Sequence, residues 1–157
     1  MKWVRYQSDG KTFYGILEED TVKEVYGSPF DSYTESGTLH NYESIELLPP
    51  VIPPTFYAAG INYEKHVREA AALLGTEPNI PDKADIGYRA PNALIAHGQP
   101  IIVPKDATEK VQYEAELVVV IGKEAKNISE SNALDCVLGC SVGNDVSERT
   151  WQASDRT

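Results

Sequence analysis

The chain has 157 residues, 41% hydrophobic and 24% charged, enough to bury a core and unlike a disordered or collagen-like composition. Asp and Glu number 24 against 14 Lys and Arg, a formal net charge of -10; this repels phosphate backbones and anionic lipid, so neither nucleic acid nor membrane is an expected partner. No stretch reaches the ~20 apolar residues of a membrane-spanning helix, and an acidic protein that handles anions must gather positive charge locally or borrow it from a metal ion.

In chain order, Met1 to Arg5 enters a strand pattern without a hydrophobic leader, which predicts a cytoplasmic, reducing setting. Between Trp3 and Tyr26 the alternation of Val4 and Tyr6, of Phe13, Gly15 and Leu17, and of Val22 and Val25 predicts short antiparallel strands. Asp9-Gly10 is a hairpin turn signal. Residues 27–48 read as irregular, and Pro49-Pro50 followed by Pro53-Pro54 forms a stiff junction. These features predict a small β-rich N-terminal domain over residues 1–50 and a second domain over 51–157.

Past the junction, residues 55–59 read as a short buried strand, Gly60 as a bend, and Asn62 as the N-cap of a helix over 63–74 ended by Gly75. Val67, Ala70 or Ala71, and Leu74 form its apolar stripe. Residues 76–92 read as a long mobile loop with the character of a lid. Strands are expected over 93–96, 101–103 and, most strongly, 111–122; a short helix follows over 129–135 and a buried strand over 137–143. Cys136 and Cys140, without His or Cys company, are expected to be buried free thiols.

The strand period places Glu114 and Glu116 on one face, roughly 7 Å apart. The apolar run from Leu117 to Ile121 predicts an interior strand, where two uncompensated carboxylates are costly. A divalent cation is one remedy: oxygen-only ligands favour Mg2+, Mn2+ or Ca2+ over zinc, with Asp145 as a third ligand. Exposure of both carboxylates on an edge strand is the alternative, and spacing alone does not separate the two. His66 and Glu69, at i and i+3, form either a general-base pair or a solvated surface pair. Arg149 and Gln152 suit a substrate carboxylate or carbonyl, and Arg149 equally suits a surface ion pair. Arg89 is an anion clamp or a loop cation.

Three blocks occur in one order: Gly60-Ile61-Asn62-Tyr63-Glu64-Lys65-His66-Val67-Arg68-Glu69, then Tyr113-Glu114-Ala115-Glu116-Leu117, then Gly143-Asn144-Asp145-Val146-Ser147-Glu148-Arg149-Thr150-Trp151-Gln152. Together with the segment Arg89 to Gly98 between the first two, they resemble the fumarylacetoacetate hydrolase family over residues 55–157. Residues 1–50 look like the small N-terminal domain of many bacterial members. The resemblance implies a mixed α+β, mostly β fold of the mixed β-roll type, often dimeric, hence a homodimer. It also implies a divalent metal, usually Mg2+ or Mn2+, held by Glu114, Glu116 and Asp145, and a β-diketo or oxo-acid substrate. The reactions implied are C–C bond hydrolysis, decarboxylation or keto-enol isomerisation. His66, paired with Glu69, is then the base that activates water, and Arg89, Arg149, Gln152 and Asn62 bind substrate. Arg89 stands where many members have lysine, which signals a different substrate preference.

Family members continue well past the position of Gln152, through a lysine-bearing loop, a Pro-Gly segment and further strands. The expectation is therefore a fragment of a longer protein or a broken gene. Two other readings compete: a non-catalytic oligomerising or binding module completed by another chain, and a zinc hydrolase using His66 and His97, which lacks a third nitrogen or sulfur donor.

Overall fold

The computed structural model describes residues 1–154. Two compact units form, one from residues 1–50 and the described residues from His97 onward, the other from residues 51–96. With 41% strand and 19% helix, the architecture is mostly β, as expected from the sequence.

The N-terminal sheet is antiparallel. It contains β1 (Lys2–Ser8), β2 (Lys11–Glu18), β3 (Thr21–Gly27), β4 (Tyr33–Asn41) and β5 (Glu46–Leu48), in the spatial order β4-β3-β2-β1-β5. Two-residue loops join the first three strands, since Ser8 pairs with Lys11 and Glu18 with Thr21. At the first loop Asp9 and Gly10 both take positive φ, 48° and 73°, the backbone that matches strand twist and that Asp-Gly adopts readily. Tyr6, Ile16, Val22 and Val25 are the buried apolar residues of this sheet, with Glu24 buried among them. Gly15 is required by close approach: a Cβ there would lie 2.5 Å from Val22 Cγ1 and 2.9 Å from the Lys23 carbonyl.

Residues 27–48 are thus not irregular. β4 pairs with β3 and β5 with β1. β4 is polar because it is an edge strand, largely exposed, so it carries no apolar alternation to announce it; pairing rather than propensity makes it a strand.

In the second unit, β6 (Phe56–Gly60) and β7 (Asp85–Arg89) pair antiparallel, Phe56 opposite Arg89 and Gly60 opposite Asp85, with α1 (Glu64–Leu74) between them in sequence. The expected loop over 76–92 therefore contains a strand, and the bend falls at Ile61 rather than at Gly60. Val67 N–H donates to the Tyr63 carbonyl at 3.1 Å, which makes Tyr63 the N-cap, one residue later than Asn62, and no side chain caps the helix there. The C-terminus is as expected: Gly75 takes φ 65°, Thr76 N–H donates to the Ala71 carbonyl at 2.9 Å and Gly75 N–H to that of Ala72 at 3.3 Å, a Schellman closure. Val67 and Ala70 are half-buried and Ala71 is buried, but Leu74 is 76% exposed. β6 is half-buried at best.

Two paired ribbons occupy the later part of the first unit. β8 (Val111–Gln112) pairs with β11 (Ser147–Glu148), and β9 (Ala115–Ile121) pairs with β10 (Val137–Asn144); α2 (Arg149–Ser154) follows β11. The long strand expected over 111–122 is broken at Tyr113-Glu114, opposite the break at Asp145-Val146. A backbone bond spans the break, from Asp145 N–H to the Glu114 carbonyl at 3.0 Å. The expected helix over 129–135 is a 3-10 helix over Glu130–Cys136. Residues 93–96 and 101–103 form no strands. Neither thiol is buried: Cys136 is half-buried and Cys140 exposed, both free.

β9 keeps the period of two. Glu114, Glu116, Val118 and Val120 are half-buried, whereas Leu117, Val119 and Ile121 are 61%, 47% and 57% exposed. An interior strand, apolar on both faces, is therefore not what the described residues form. No helix of the described residues is long and apolar enough to cross a membrane.

Candidate functional site

The break in the double ribbon gathers most of the candidate residues of the first unit. Glu116 sits opposite Gly143 and Ala115 opposite Asn144, so the chain places Glu114 and Asp145 side by side where both strands leave regular pairing. Asn144 Oδ1 accepts from Glu114 N–H at 3.1 Å. This replaces the ladder bond lost at the break and sets the direction of the Glu114 backbone.

Arg149 begins α2, and its backbone N–H donates to the Lys110 carbonyl at 3.1 Å. Its guanidinium meets three acceptors: Nε donates to Gln112 Oε1 at 2.9 Å, and one terminal nitrogen donates to Gln152 Oε1 at 2.9 Å and to Glu114 Oε1. Both charged side chains of the pair are half-buried. Arg149 and Gln152 are one helical turn apart, which is why their side chains meet.

α2 is anchored through Glu148. Trp151 N–H donates to Glu148 Oε2 at 2.6 Å, and the Thr108 hydroxyl donates to Oε1. Burial pushes this carboxyl up, but hydrogen bonds from Thr108, Trp151 and Thr150 outweigh that and hold it below the ordinary Glu value.

Glu114, Glu116 and Asp145 offer oxygen donors only, the chemistry of a hard divalent cation, and register and face bring them to one break. Their side chains are not closed around a point. Among the described residues no three His, Cys, Asp or Glu groups form a metal-holding cluster, and Glu114 is turned to Arg149. The set fits an ion in donor chemistry, while its side chains are not gathered into a ligand cluster. The same absence of a cluster applies to a zinc set built on His66 and His97.

In the second unit, His66 and Glu69 are exposed on α1. The expected hydrogen bond between them is not formed; Glu69 Oε1 lies 3.7 Å from Lys65 Nζ, while Glu64 takes Arg68 at 2.7 Å. The i,i+4 pair with Lys65 uses the Glu69 carboxylate that an i,i+3 histidine pair needed. Asn62 is exposed and follows Ile61, whose φ of 51° is strained for a β-branched residue. Arg89 ends β7 and donates to the Tyr88 carbonyl at 3.4 Å.

Sequence reasoning missed Gln112, Asn144 and Glu148. Gln112 was legible as the residue two before Glu114 on a strand. Asn144 and Glu148 act through the break and the helix start, features that exist only once the ribbons pair.

Comparison with known proteins gives the same family that the sequence blocks resemble. Residues 55–157 match the family described as fumarylacetoacetate (FAA) hydrolase C-terminal, and residues 1–50 match Rv2993c-like, N-terminal. A fumarylacetoacetate hydrolase domain-containing protein 2 homolog from Dictyostelium discoideum is 44% identical over 110 residues, 70% of this chain and 34% of its own. The solved structure of 5-carboxymethyl-2-hydroxymuconate delta-isomerase from Mycobacterium smegmatis aligns with a TM-score of 0.84 at 29% identity, covering 100% of this chain and 59% of that one. A more distant structure, 2-keto-3-deoxy-D-arabinonate dehydratase complexed with magnesium and 2,5-dioxopentanoate, shares the fold with a TM-score of 0.65 at 21% identity, covering 99% and 58%. The chain spans about a third to a half of the length of the curated relatives it matches. Members of the family act as isomerases, decarboxylases and hydrolases on oxo-acids.

Proposed function

The chain belongs to the fumarylacetoacetate hydrolase family, and from that premise we propose that it is the front part of a divalent-metal-dependent enzyme acting on a β-diketo or oxo-acid substrate. The reaction class is C–C bond hydrolysis, decarboxylation or keto-enol isomerisation. The observation that carries this reading is the break in the double ribbon, where Glu114 and Glu116 share a half-buried face and the Asp145 N–H is bonded to the Glu114 carbonyl.

Glu114, Glu116 and Asp145 hold the ion, Mg2+ or Mn2+, with Ca2+ compatible with the same donors. Bound there, the ion supplies polarisation of substrate carbonyls and stabilises enolate charge as it develops. Arg149 and Gln152 receive the substrate's carboxylate or carbonyl oxygens, offering positive charge that an acidic chain otherwise lacks there. Asn62 and Arg89 are assigned to substrate, and His66, supported by Glu69, takes the proton of the attacking water; these four assignments rest on the sequence blocks. The two family matches, over residues 1–50 and 55–157, support a small N-terminal domain over 1–50 followed by the front of the catalytic domain over 51–157; the homodimer rests on the resemblance of the sequence blocks alone.

Thermal unfolding with and without Mn2+ tests the metal. Ligand at 100 times its Kd stabilises the native state by about 2.7 kcal/mol, so Mn2+ should raise Tm, and Glu116→Ala should abolish the rise. No shift in the unaltered protein sinks the reading. Turnover of oxaloacetate and acylpyruvates, assayed on the longest native form of the protein, then assigns the reaction.

A further inference from the structure

Arg149 is tied to three acceptors within the first unit. Its guanidinium has two neutral acceptors, Gln112 and Gln152, and one anionic acceptor, Glu114. The Arg149–Glu114 side chains are 29% and 27% exposed, against 89% and 61% for Lys65–Glu69 and 56% and 64% for Arg68–Glu64. It is thus a shielded charge pair, placed at the start of α2 by a backbone bond to Lys110. Partial desolvation strengthens the attraction and makes an unpaired partner costly.

We propose that Arg149 is the resident counter-cation of Glu114, that a divalent ion competes with it for that carboxylate, and that loading the ion releases the guanidinium toward an anionic substrate group. This rests on the reading of Glu114 as a metal ligand. Glu114 Oε1 cannot serve both cations at full strength, because like charges at one carboxylate repel. After displacement Arg149 keeps Gln112 and Gln152 and stays in position, but it has lost the anion bonded to it. A planar fork left with its charge unpaired would be a receptor for a carboxylate. Metal and anionic substrate therefore bind in order, the first creating the receptor for the second. Thermodynamic linkage makes the coupling reciprocal: whatever weakens the Arg149–Glu114 pair tightens the metal.

Mn2+ affinity, read from the EPR signal of the free ion, tests this on the full chain and on the variants Arg149→Gln and Glu114→Gln. Arg149→Gln should bind Mn2+ roughly tenfold more tightly, within the usual span of coupling between linked sites, and Glu114→Gln should bind it more weakly. A second measurement needs no variant: modification of Arg149 by phenylglyoxal, mapped by peptide mass with Arg5 as internal reference, should be several-fold faster with Mn2+ bound. Equal or weaker Mn2+ affinity in Arg149→Gln, or an Arg149 reactivity that Mn2+ leaves unchanged, overturns the competition while Glu114→Gln still reports the metal site. Absence of Mn2+ binding by every form overturns the metal reading and this inference together.

Discussion

Tyr6 offers a sharp test of the physics of the N-terminal sheet. Its ring is fully buried, stacked on Phe13 at 5.7 Å and edge-on to His40 at 5.3 Å, while its hydroxyl makes no hydrogen bond of good geometry. Glu24 stands beside it, but its Oε2 is engaged by His40 Nε2 at 3.1 Å. An unsatisfied buried hydroxyl costs about 1–3 kcal/mol, and Phe keeps the ring. Tyr6→Phe should therefore stabilise the protein by about 1–2 kcal/mol, a Tm rise of roughly 2–8 °C for a chain of this size. The pH dependence has a definite sign. Burial first, then the Glu24 charge and the approach of its carboxylate to the hydroxyl, push the phenol from 10.0 to about 12. The unfolded chain then loses its proton first, so this contribution is complete below pH 10 and is lost as the pH rises through the folded value. Urea melts of both forms at pH 7, and then between pH 9 and 12, measure both effects. A Tyr6→Phe form less stable by about 1 kcal/mol at pH 7 would mean that the hydroxyl donates a productive bond to Glu24 and is not unsatisfied. An unchanged alkaline slope in the variant would refute the titration argument.

Two further outcomes follow from packing and capping. Gly15→Ala drives a methyl into Val22 and the Lys23 carbonyl; overpacking of about 1–3 kcal/mol exceeds the ~0.4–1 kcal/mol gained from a less flexible unfolded chain, so chemical denaturation should show a net loss, and a gain would mean that β2 and β3 separate freely. Glu148→Gln removes the charge at the start of α2, and amide exchange at Trp151 should quicken. In the unaltered protein the same protection should hold above the ordinary carboxylate range and fail as the pH falls through the lowered Glu148 value; pH-independent protection would show that the carboxylate does not hold the helix start.

The legible parts of this chain were those in which local chemistry and fold agree. Asp9-Gly10 turns because both residues tolerate positive φ, and Gly75 ends α1 for the same reason. Glu114 and Glu116 share a face because a strand repeats every two residues, and that survived the break that removed Glu114 from the strand itself. β4, β5 and β7 were illegible: a polar edge strand, a three-residue strand and a largely exposed ribbon strand are held by partner backbones, which leave little periodic trace in their own residues.

Residue identity and short-range spacing were enough for the family, the mostly β character and the excess of acidic residues, since each depends on composition and local pattern. Only the tertiary structure decided what each charged group touches. Glu69 went to Lys65 rather than His66, and Glu114 to Arg149, from residues 35 positions apart. Ion pairs go to whichever partner the folded backbone brings within reach with the least desolvation and side-chain entropy. Spacing along the chain does not contain that information until β8 meets β11 and sets α2 beside the break.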